Sequence, residues 1–302
     1  MWRHMRTGLC AAGAVLVTLT GGDAATGFVE QFNADLALSP YFTWWSNNAK
    51  ARATANVSDA QASDGRVLDL LLPKRTSEDP VNGPNLQSKV RYLYGTFEGR
   101  LKTGQCANNR TGVVTSFFTY FSDGTDGNGD GLADNSEIDL EWLCAAPESI
   151  YLTAWTDYDF ATGTHRRVVR KVNLAAGTIE YTRFCWDWGG SDCQDLSQSP
   201  AENQPPSIPV LPSYNSASAY YEYGFEWTPN SITWWIVNPA NGQRIILWDY
   251  RGPADHIPQV PAYYMSNLWH SSNFIPEGNP SARQSPKTDV HAFWDWLEYT
   301  PL

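Results

Sequence analysis

The stretch NSEIDLEW, residues 135–142, alternates acidic and apolar side chains. Successive side chains of a β-strand point to opposite faces, so this pattern predicts a strand with one acidic and one apolar face. The acidic face carries Glu137, Asp139 and Glu141. Like charges at neighbouring positions of one face repel one another and do not stabilise a sheet. We therefore expect the apolar face to cover a core and the carboxylates to serve chemistry on an open face.

Two carboxyl groups are the usual machinery for cleaving the bond between two sugars. At about 3.3 Å per residue, the backbones of Glu137 and Glu141 lie about 13 Å apart, and side chains leaning together on a curved strand would bring their carboxyl groups to about 5 Å. That separation suits the retaining mechanism, with one nucleophile and one proton donor. Asp139 between them would hydrogen-bond the nucleophile and help to keep a neighbour protonated.

The remaining sequence predicts an all-β fold, an antiparallel sandwich or barrel. Segments rich in aromatic and β-branched residues recur between clusters of Gly, Pro, Asn and Asp, and few windows show helical spacing. The polar stretch 195–218 is interpreted as a loop inserted into one domain, with an interdomain linker as the alternative. The predicted strands cover residues 89–102, 112–121, 136–143, 149–156, 165–173, 178–184, 221–228, 231–238, 244–250, 262–269 and 288–300.

The net charge and the N-terminal segment indicate which partners and which compartment to expect. The 302 residues carry 21 Lys and Arg against 32 Asp and Glu, a net charge of −11, which repels phosphate backbones and excludes nucleic acid as a partner. Basic residues precede an apolar run at 9–19 and small residues follow it, which predicts a signal peptide at 1–24. The run is too short to span a bilayer, so we expect a secreted, extracellular domain at 25–302 with no membrane attachment.

Four cysteines remain after the signal peptide, and they allow three disulfide pairings. Cys185 and Cys193 flank a short segment and are predicted to close a local loop, which by elimination pairs Cys106 with Cys144. The four lack the clustered spacing of a zinc site.

An acidic loop precedes the carboxylate strand. The sequence DGNGDG, residues 126–131, followed by five residues and Glu137, matches the calcium-loop pattern. An EF-hand needs flanking helices, and the β-branched and aromatic segment 113–121 excludes it. Two interpretations stay open: a structural calcium ion on the loop, or a solvated acidic turn. No other cofactor is required. The candidate ligands are Asp126, Asn128, Asp130 and Asp134.

The motif at 137–141 resembles the E-x-D-x-E signature of glycoside hydrolase family 16, which includes laminarinases, lichenases, xyloglucan transglycosylases, agarases and carrageenases. Four further segments resemble landmarks of that family in the same order, so that the resemblance spans about residues 88–300. They are residues 94–102 (YGTFEGRLK), 113–121 (VVTSFFTYF), 225–234 (FEWTPNSITW) and 265–269 (MSNLW).

The resemblance implies a β-jelly-roll sandwich with an open glycan-binding cleft and an endo-acting, retaining glycosidase. Glu137 would be the nucleophile, Asp139 its helper and Glu141 the acid/base. Three tryptophans would stack on sugar rings, whose flat C–H faces pack on aromatic side chains. These are Trp142, Trp155 and Trp269.

The implied substrate is a β-linked polysaccharide. The five-residue motif lacks the extra residue of the laminarinase-type form, which favours lichenase-type and xyloglucan-active relatives, and the negative charge suits a neutral polymer. We expect a β-1,3/1,4-glucan. We expect a monomer. Two alternatives stay open: a transglycosylase of the same fold, and a non-catalytic, lectin-like glycan-binding module.

Overall fold

The computed structural model describes residues 26–159, 162–186, 192–272, 274 and 282–302. The predicted signal peptide, residues 1–24, lies outside these ranges. Within them, the structure contains no helix with the length and apolar character needed to cross a membrane.

Two antiparallel sheets stack on one another, which confirms the predicted all-β sandwich. Two single-turn 3₁₀ helices, Leu36–Leu38 and Ala254–His256, lie between strands. The first sheet has the order β15 (Arg244–Tyr250), β14 (Ser231–Val237), β13 (Tyr221–Thr228), β6 (Gly95–Lys102), β17 (Val290–Thr300), β4 (Arg66–Leu72) and β3 (Arg52–Ser58), with β1 (Phe28–Glu30) also paired to β17. The second has the order β12 (Cys193–Asp195), β11 (Thr178–Cys185), β10 (His165–Asn173), β9 (Ser149–Tyr158), β8 (Asp134–Leu143), β7 (Val113–Phe121), β16 (Ala262–His270), β5 (Val81–Tyr92) and β2 (Phe42–Trp45).

The core lies between the sheets because the strands alternate as their sequences predict. In β6, Phe97 and Leu101 are fully buried, while Glu98 and Arg100 between them are only partly buried. Phe97 stacks on Phe225 of β13 with ring centroids 4.9 Å apart. From the second sheet, Phe117 of β7 packs against the same Phe225 at 5.8 Å. The aromatic side chains thus join the two layers.

The predicted strand 89–102 is wrong at its centre. The extended conformation is interrupted between β5 and β6, and the two strands belong to different sheets. Tyr94 has φ +58° and Gly95 has φ +123°, both outside the extended region. A Cβ added at Gly95 would lie 2.5 Å from the carbonyl oxygen of Thr300, so glycine permits the close approach that lets the chain cross over.

Strands β1 to β4 were not predicted, and the composition of β3 shows why. Its sequence RATANVS carries only Ala53, Ala55 and Val57 toward the other sheet, and these are half-buried. Small apolar residues among polar ones produce a weak hydrophobic pattern. Pairing with β4 is what makes this segment a strand.

The polar stretch 195–218 packs against the sandwich instead of extending into solvent. Leu196, Leu211 and Tyr214 are buried in the main core. Tyr214 also connects the sheets, because its hydroxyl accepts a hydrogen bond from the indole of Trp142 (3.1 Å) and pairs with the hydroxyl of Tyr223 (2.8 Å).

Arg170 of β10 holds this stretch in place. It is fully buried, and its guanidinium donates to Asn203 Oδ1 (2.6 Å), Pro205 O (2.9 Å) and Leu247 O (3.0 Å). These acceptors are neutral, and burial lowers the pKa of Arg170 to about 9. The charge is thus stabilised by oriented dipoles.

Both predicted disulfides are confirmed: Cys106 pairs with Cys144, and Cys185 pairs with Cys193. The first joins the segment before β7 to the residue that follows β8. It therefore anchors one end of the strand that carries the carboxylates.

The variant Arg170→Met should lower the free energy of unfolding by about 3 kcal/mol, because it leaves several buried acceptors without donors. Urea unfolding monitored by tryptophan fluorescence would measure the loss. The matched control is Arg251→Met, since the side chain of Arg251 is 65% exposed and its removal should change stability by less than about 0.5 kcal/mol. Equal effects of the two variants would contradict this role of Arg170.

Candidate active site

Strand β8 lies at the centre of the nine-stranded sheet, between β7 and β9. Ile138 and Leu140 are fully buried in the core, so Glu137, Asp139 and Glu141 share the outer face, as predicted. The opposite sheet supports the strand from beneath, because the indole of Trp234 donates to the Asp139 carbonyl oxygen (3.2 Å).

Each carboxylate accepts a hydrogen bond from a different donor. Asn135 Nδ2 donates to Glu137 Oε2 (2.9 Å), and Trp155 Nε1 donates to Asp139 Oδ2 (3.1 Å). Ser116 Oγ donates to Glu141 Oε1 (3.0 Å). Three separate donors orient the three groups and favour their ionised forms.

Sequence analysis missed Asn135 and Ser116 as members of the site. Asn135 stands two residues before Glu137, so the period of two already places it on the same face. Ser116 lies on β7, and only the strand register, in which Ser116 faces Glu141, brings it to the site.

Burial raises the pKa of all three carboxyl groups. The pKa of Glu137 rises to about 8 and that of Glu141 to about 7, while the pKa of Asp139 rises well above its usual range. Repulsion adds to burial at Glu137, which faces the charge of Glu141, and at Asp139, which faces both glutamates. The three groups therefore ionise as a unit and retain at least one proton at neutral pH.

Arg167 of β10 opposes these increases, and sequence analysis missed it as well. Its charge lowers the pKa of Asp139 and Glu141. The guanidinium is 5.0 Å from the ring centroid of Trp155, which also packs against His165 at 4.9 Å. One buried cation thus partly offsets three neighbouring carboxyl groups.

The three tryptophans predicted to stack on sugar rings differ in how much of each side chain is exposed. The assignment of Trp142 is wrong: it is 1% exposed on the core face, because it is one residue away from the face of Glu141. Trp155 is 8% exposed, is enclosed by Arg167 and His165, and donates its indole N–H to Asp139. Trp269 remains partly exposed, and its indole donates to Ser116 Oγ (3.2 Å).

A row of polar and aromatic side chains crosses the outer face at the level of Glu141. Strand register aligns Trp45, Asn85 and Asn267 with Ser116 and Glu141, from the edge strand β2 to β8. Paired residues of an antiparallel sheet project on the same side. The 39% exposed Trp45 therefore stands at the edge of the carboxylate face.

The acidic side chains of the loop at 126–134 hydrogen-bond mainly to backbone amides of the same loop. The carboxylate of Asp126 accepts backbone N–H bonds from Gly129, Asp130 and Gly131. Asp130 forms an ion pair with Arg166. Among residues with described positions, no group of three or more His, Cys, Asp or Glu is placed to hold a metal ion.

The other predicted ligands of the loop are engaged in the same way. Asn128 accepts the backbone N–H of Asp130 (2.9 Å), and Asp134 accepts that of Gly127 (3.0 Å). The backbone amides of the loop thus hold its own acidic side chains, and the calcium ion stays a prediction.

Known proteins resemble this chain in sequence and in fold. The model of the family "Glycosyl hydrolases family 16" matches residues 47–192, which include the whole carboxylate strand. The chain belongs to this family.

Curated relatives extend the match over the rest of the sandwich. A beta-glucanase of Brevibacillus brevis is 26% identical over 258 residues, 85% of this chain and 75% of that protein. A beta-glucanase of Bacillus amyloliquefaciens is 25% identical over 294 residues, 96% of this chain and 92% of that protein.

Solved structures share the fold. A Bacillus licheniformis beta-glucanase superposes with a TM-score of 0.51 at 21% identity and covers 93% of this chain and 100% of its own. The Crh5 transglycosylase superposes with a TM-score of 0.53 at 16% identity, covering 92% and 85%. These structures show the shared jelly-roll fold, and together with the family match they identify the chain as a glycoside hydrolase, as the sequence motif implied.

The raised pKa values predict that the carboxylates of this family 16 enzyme destabilise the fold at high pH. The folded state holds protons that the unfolded chain releases above about pH 4, so stability should fall as the pH rises from about 4 to 8. Asp139→Asn needs no proton to stay neutral in the folded state and keeps an acceptor for Trp155. It should melt about 2–4 °C above the wild type at pH 8 and together with it at pH 3.5.

Thermal unfolding by circular dichroism at the two pH values tests this. The control Asp255→Asn changes an exposed carboxylate away from the site and should leave both melting temperatures unchanged. A gain of equal size at both pH values would show that packing, not relief of charge, is responsible.

Proposed function

We propose that this enzyme cleaves a β-linked glucan within its chain, most closely a β-1,3/1,4-glucan, with retention of anomeric configuration. The observation that carries the proposal is the row of three carboxyl groups on the open face of β8, each held by its own donor. The beta-glucanase activity in the names of the relatives supports the choice of polymer.

In the first step, the ionised carboxylate of Glu137 attacks the anomeric carbon of the sugar. The bond from that carbon to the glycosidic oxygen breaks, and the carboxyl group of Glu141 transfers its proton to the leaving oxygen. The products are a covalent glycosyl-enzyme at Glu137, an ionised Glu141 and a free sugar hydroxyl.

In the second step, Glu141 acts as a base. It removes a proton from a water molecule, whose oxygen attacks the anomeric carbon and displaces Glu137. Both glutamates return to their starting protonation states. Two inversions at the same carbon result in overall retention.

The surroundings of Glu141 and Asp139 suit these roles, whereas Glu137 must ionise although burial and the charge of Glu141 raise its pKa to about 8. Burial keeps the pKa of Glu141 at about 7, so a large share of the groups can donate a proton at neutral pH. Asp139 has its pKa raised well above the usual range and holds a proton next to Glu137. Glu137 can then ionise without facing a second anion at the adjacent same-face position.

Aromatic side chains on the same face support binding of a glycan. Ser116 hydrogen-bonds both Trp269 and Glu141, which places Trp269 beside Glu141. Trp45 lies at the other end of the row, on β2. Partly exposed indoles pack on the C–H faces of sugar rings, and Asn85 and Asn267 supply amides for sugar hydroxyls. The net charge of −11 favours a neutral polymer over a sulfated one.

We further propose that the enzyme acts outside the cell. The predicted signal peptide and the two disulfides support export, because disulfides persist in oxidising compartments.

Glu137→Gln and Glu141→Gln should each reduce hydrolysis of mixed-linkage glucan by at least about 10³-fold while the protein stays folded. Reducing-end release from barley mixed-linkage glucan, laminarin, xyloglucan, agarose and carrageenan measures activity and specificity. An aryl glycoside with a good leaving group should restore the first step in Glu141→Gln, because the aryl group can leave without being protonated. The same substrate should not restore the first step in Glu137→Gln, which lacks the nucleophile.

The control is Glu226→Gln on β13, in the opposite sheet, which should keep full activity. Proton NMR of the first product should show the anomeric configuration of the substrate. Inversion would contradict the mechanism. Turnover only in the presence of an oligosaccharide acceptor would identify a transglycosylase instead.

Ser116→Ala should shift the alkaline limb of the pH profile of kcat/KM to higher pH. The Ser116 hydroxyl favours ionised Glu141, so its removal raises the pKa of Glu141, and the proton donor survives to higher pH. The control Ser122→Ala removes a hydroxyl that bonds to the Asp134 carbonyl and should leave the profile unchanged. An unshifted limb in Ser116→Ala would show that another group governs it.

A further inference from the structure

A groove opens between the edges of the two sheets, away from the carboxylate face. It is a cavity of about 660 Å³ between β2, the last strand of one sheet, and β3, the last strand of the other. Ala53 and Ala55 of β3 line one wall, and Trp44 of β2 lines the other. The small alanine side chains leave space in front of the indole.

Two adjacent tryptophans on β2 point to opposite sides of their sheet. Phe42 is buried in the core, and the period of two places Trp44 on its side and Trp45 on the carboxylate side. The two indoles are almost equally exposed, at 37% and 39%. One therefore faces the groove, and the other faces the proposed substrate cleft.

The lining of the groove combines a flat apolar ring with hydrogen-bonding groups. Asp35, Asn56 and Lys89 line the groove together with Trp44. Carboxylate, amide and ammonium groups beside an indole suit a ligand with flat C–H faces and many hydroxyls. Sugar rings have this chemistry.

The groove is too far from the carboxylates to act on the bond that is cleaved. Four strand-to-strand steps separate β2 from β8, which is about 19 Å at about 4.8 Å per step. A glycan that crosses the sheet along the row of Glu141 leaves it at Trp45. Its continuation over the edge of β2 meets Trp44 directly.

We propose that this groove, centred on Trp44, is a second binding site for the polysaccharide, which holds the part of the chain that extends past the cleft. The proposal rests on the proposed function for the identity of the polymer. Because only long chains reach both sites, the groove raises affinity for polymer without adding contacts to short substrates.

The neighbouring tryptophans are a matched pair of variants for testing this proposal. In a Glu137→Gln background, binding of mixed-linkage glucan and of a pentasaccharide cut from it is measured by affinity electrophoresis and calorimetry. Trp44→Ala should weaken polymer binding about three- to tenfold and leave pentasaccharide binding within about twofold. Trp45→Ala should weaken both.

Two further variants separate stacking from other effects. Trp44→Phe keeps a flat ring and should retain most of the polymer affinity. Leu38→Ala removes another exposed apolar side chain (75% exposed) and should change nothing. Thermal unfolding of each variant excludes loss of the fold as the cause.

The outcomes separate the two proposals. Unchanged polymer affinity in Trp44→Ala, while the parent protein binds glucan, overturns the second site and leaves the proposed function standing. Equal losses for polymer and pentasaccharide would make the groove part of the cleft and also overturn it. Self-association that Trp44→Ala abolishes would identify a contact between two copies instead. Failure of the wild type to cleave or bind any β-glucan would remove the proposed function, and the second site with it.

Discussion

The two-sidedness of strand β8 is the constraint on which the rest of the structure depends. Its even-numbered residues from Ile138 to Trp142 anchor the central strand in the core, and its odd-numbered residues carry the carboxyl groups. Core packing and chemistry therefore share one backbone, with no loop between them. The opposite sheet can therefore support the strand directly: the indole of Trp234 donates a hydrogen bond to the Asp139 carbonyl oxygen.

The carboxyl groups stand where electrostatics disfavours them. Burial raises their pKa values and repulsion adds to the effect, so the folded state is stabilised by protons at pH values where isolated carboxyl groups have lost them. The same conditions supply a proton donor near neutral pH, which acid catalysis requires. Arg167 and the three hydrogen-bond donors offset part of the repulsion without removing it.

Neighbouring strands complete the site, each through its register. Ser116 comes from β7, Trp155 from β9, Arg167 from β10 and Trp269 from β16. A slip of one residue in any pairing would turn these side chains toward the core. The disulfide between Cys106 and Cys144 holds the β7 and β8 end of this assembly.

The sequence by itself determined the all-β class, both disulfides, the shared face of the three carboxyl groups and the family resemblance. These features follow from local periodicity, from the short spacing of one cysteine pair, and from motifs that are continuous in the chain. Tertiary structure alone decided which residues hold the carboxyl groups, since Ser116 and Arg167 are distant in sequence and meet them only through strand register. It also decided where β5 ends and β6 begins, because the crossover at Gly95 depends on the approach of β17. The loop at 126–134 matches a calcium motif in sequence, and in the structure the Asp126 carboxylate accepts hydrogen bonds from backbone amides of the same loop. These bonds depend on the backbone conformation of the folded loop, which the sequence pattern does not specify.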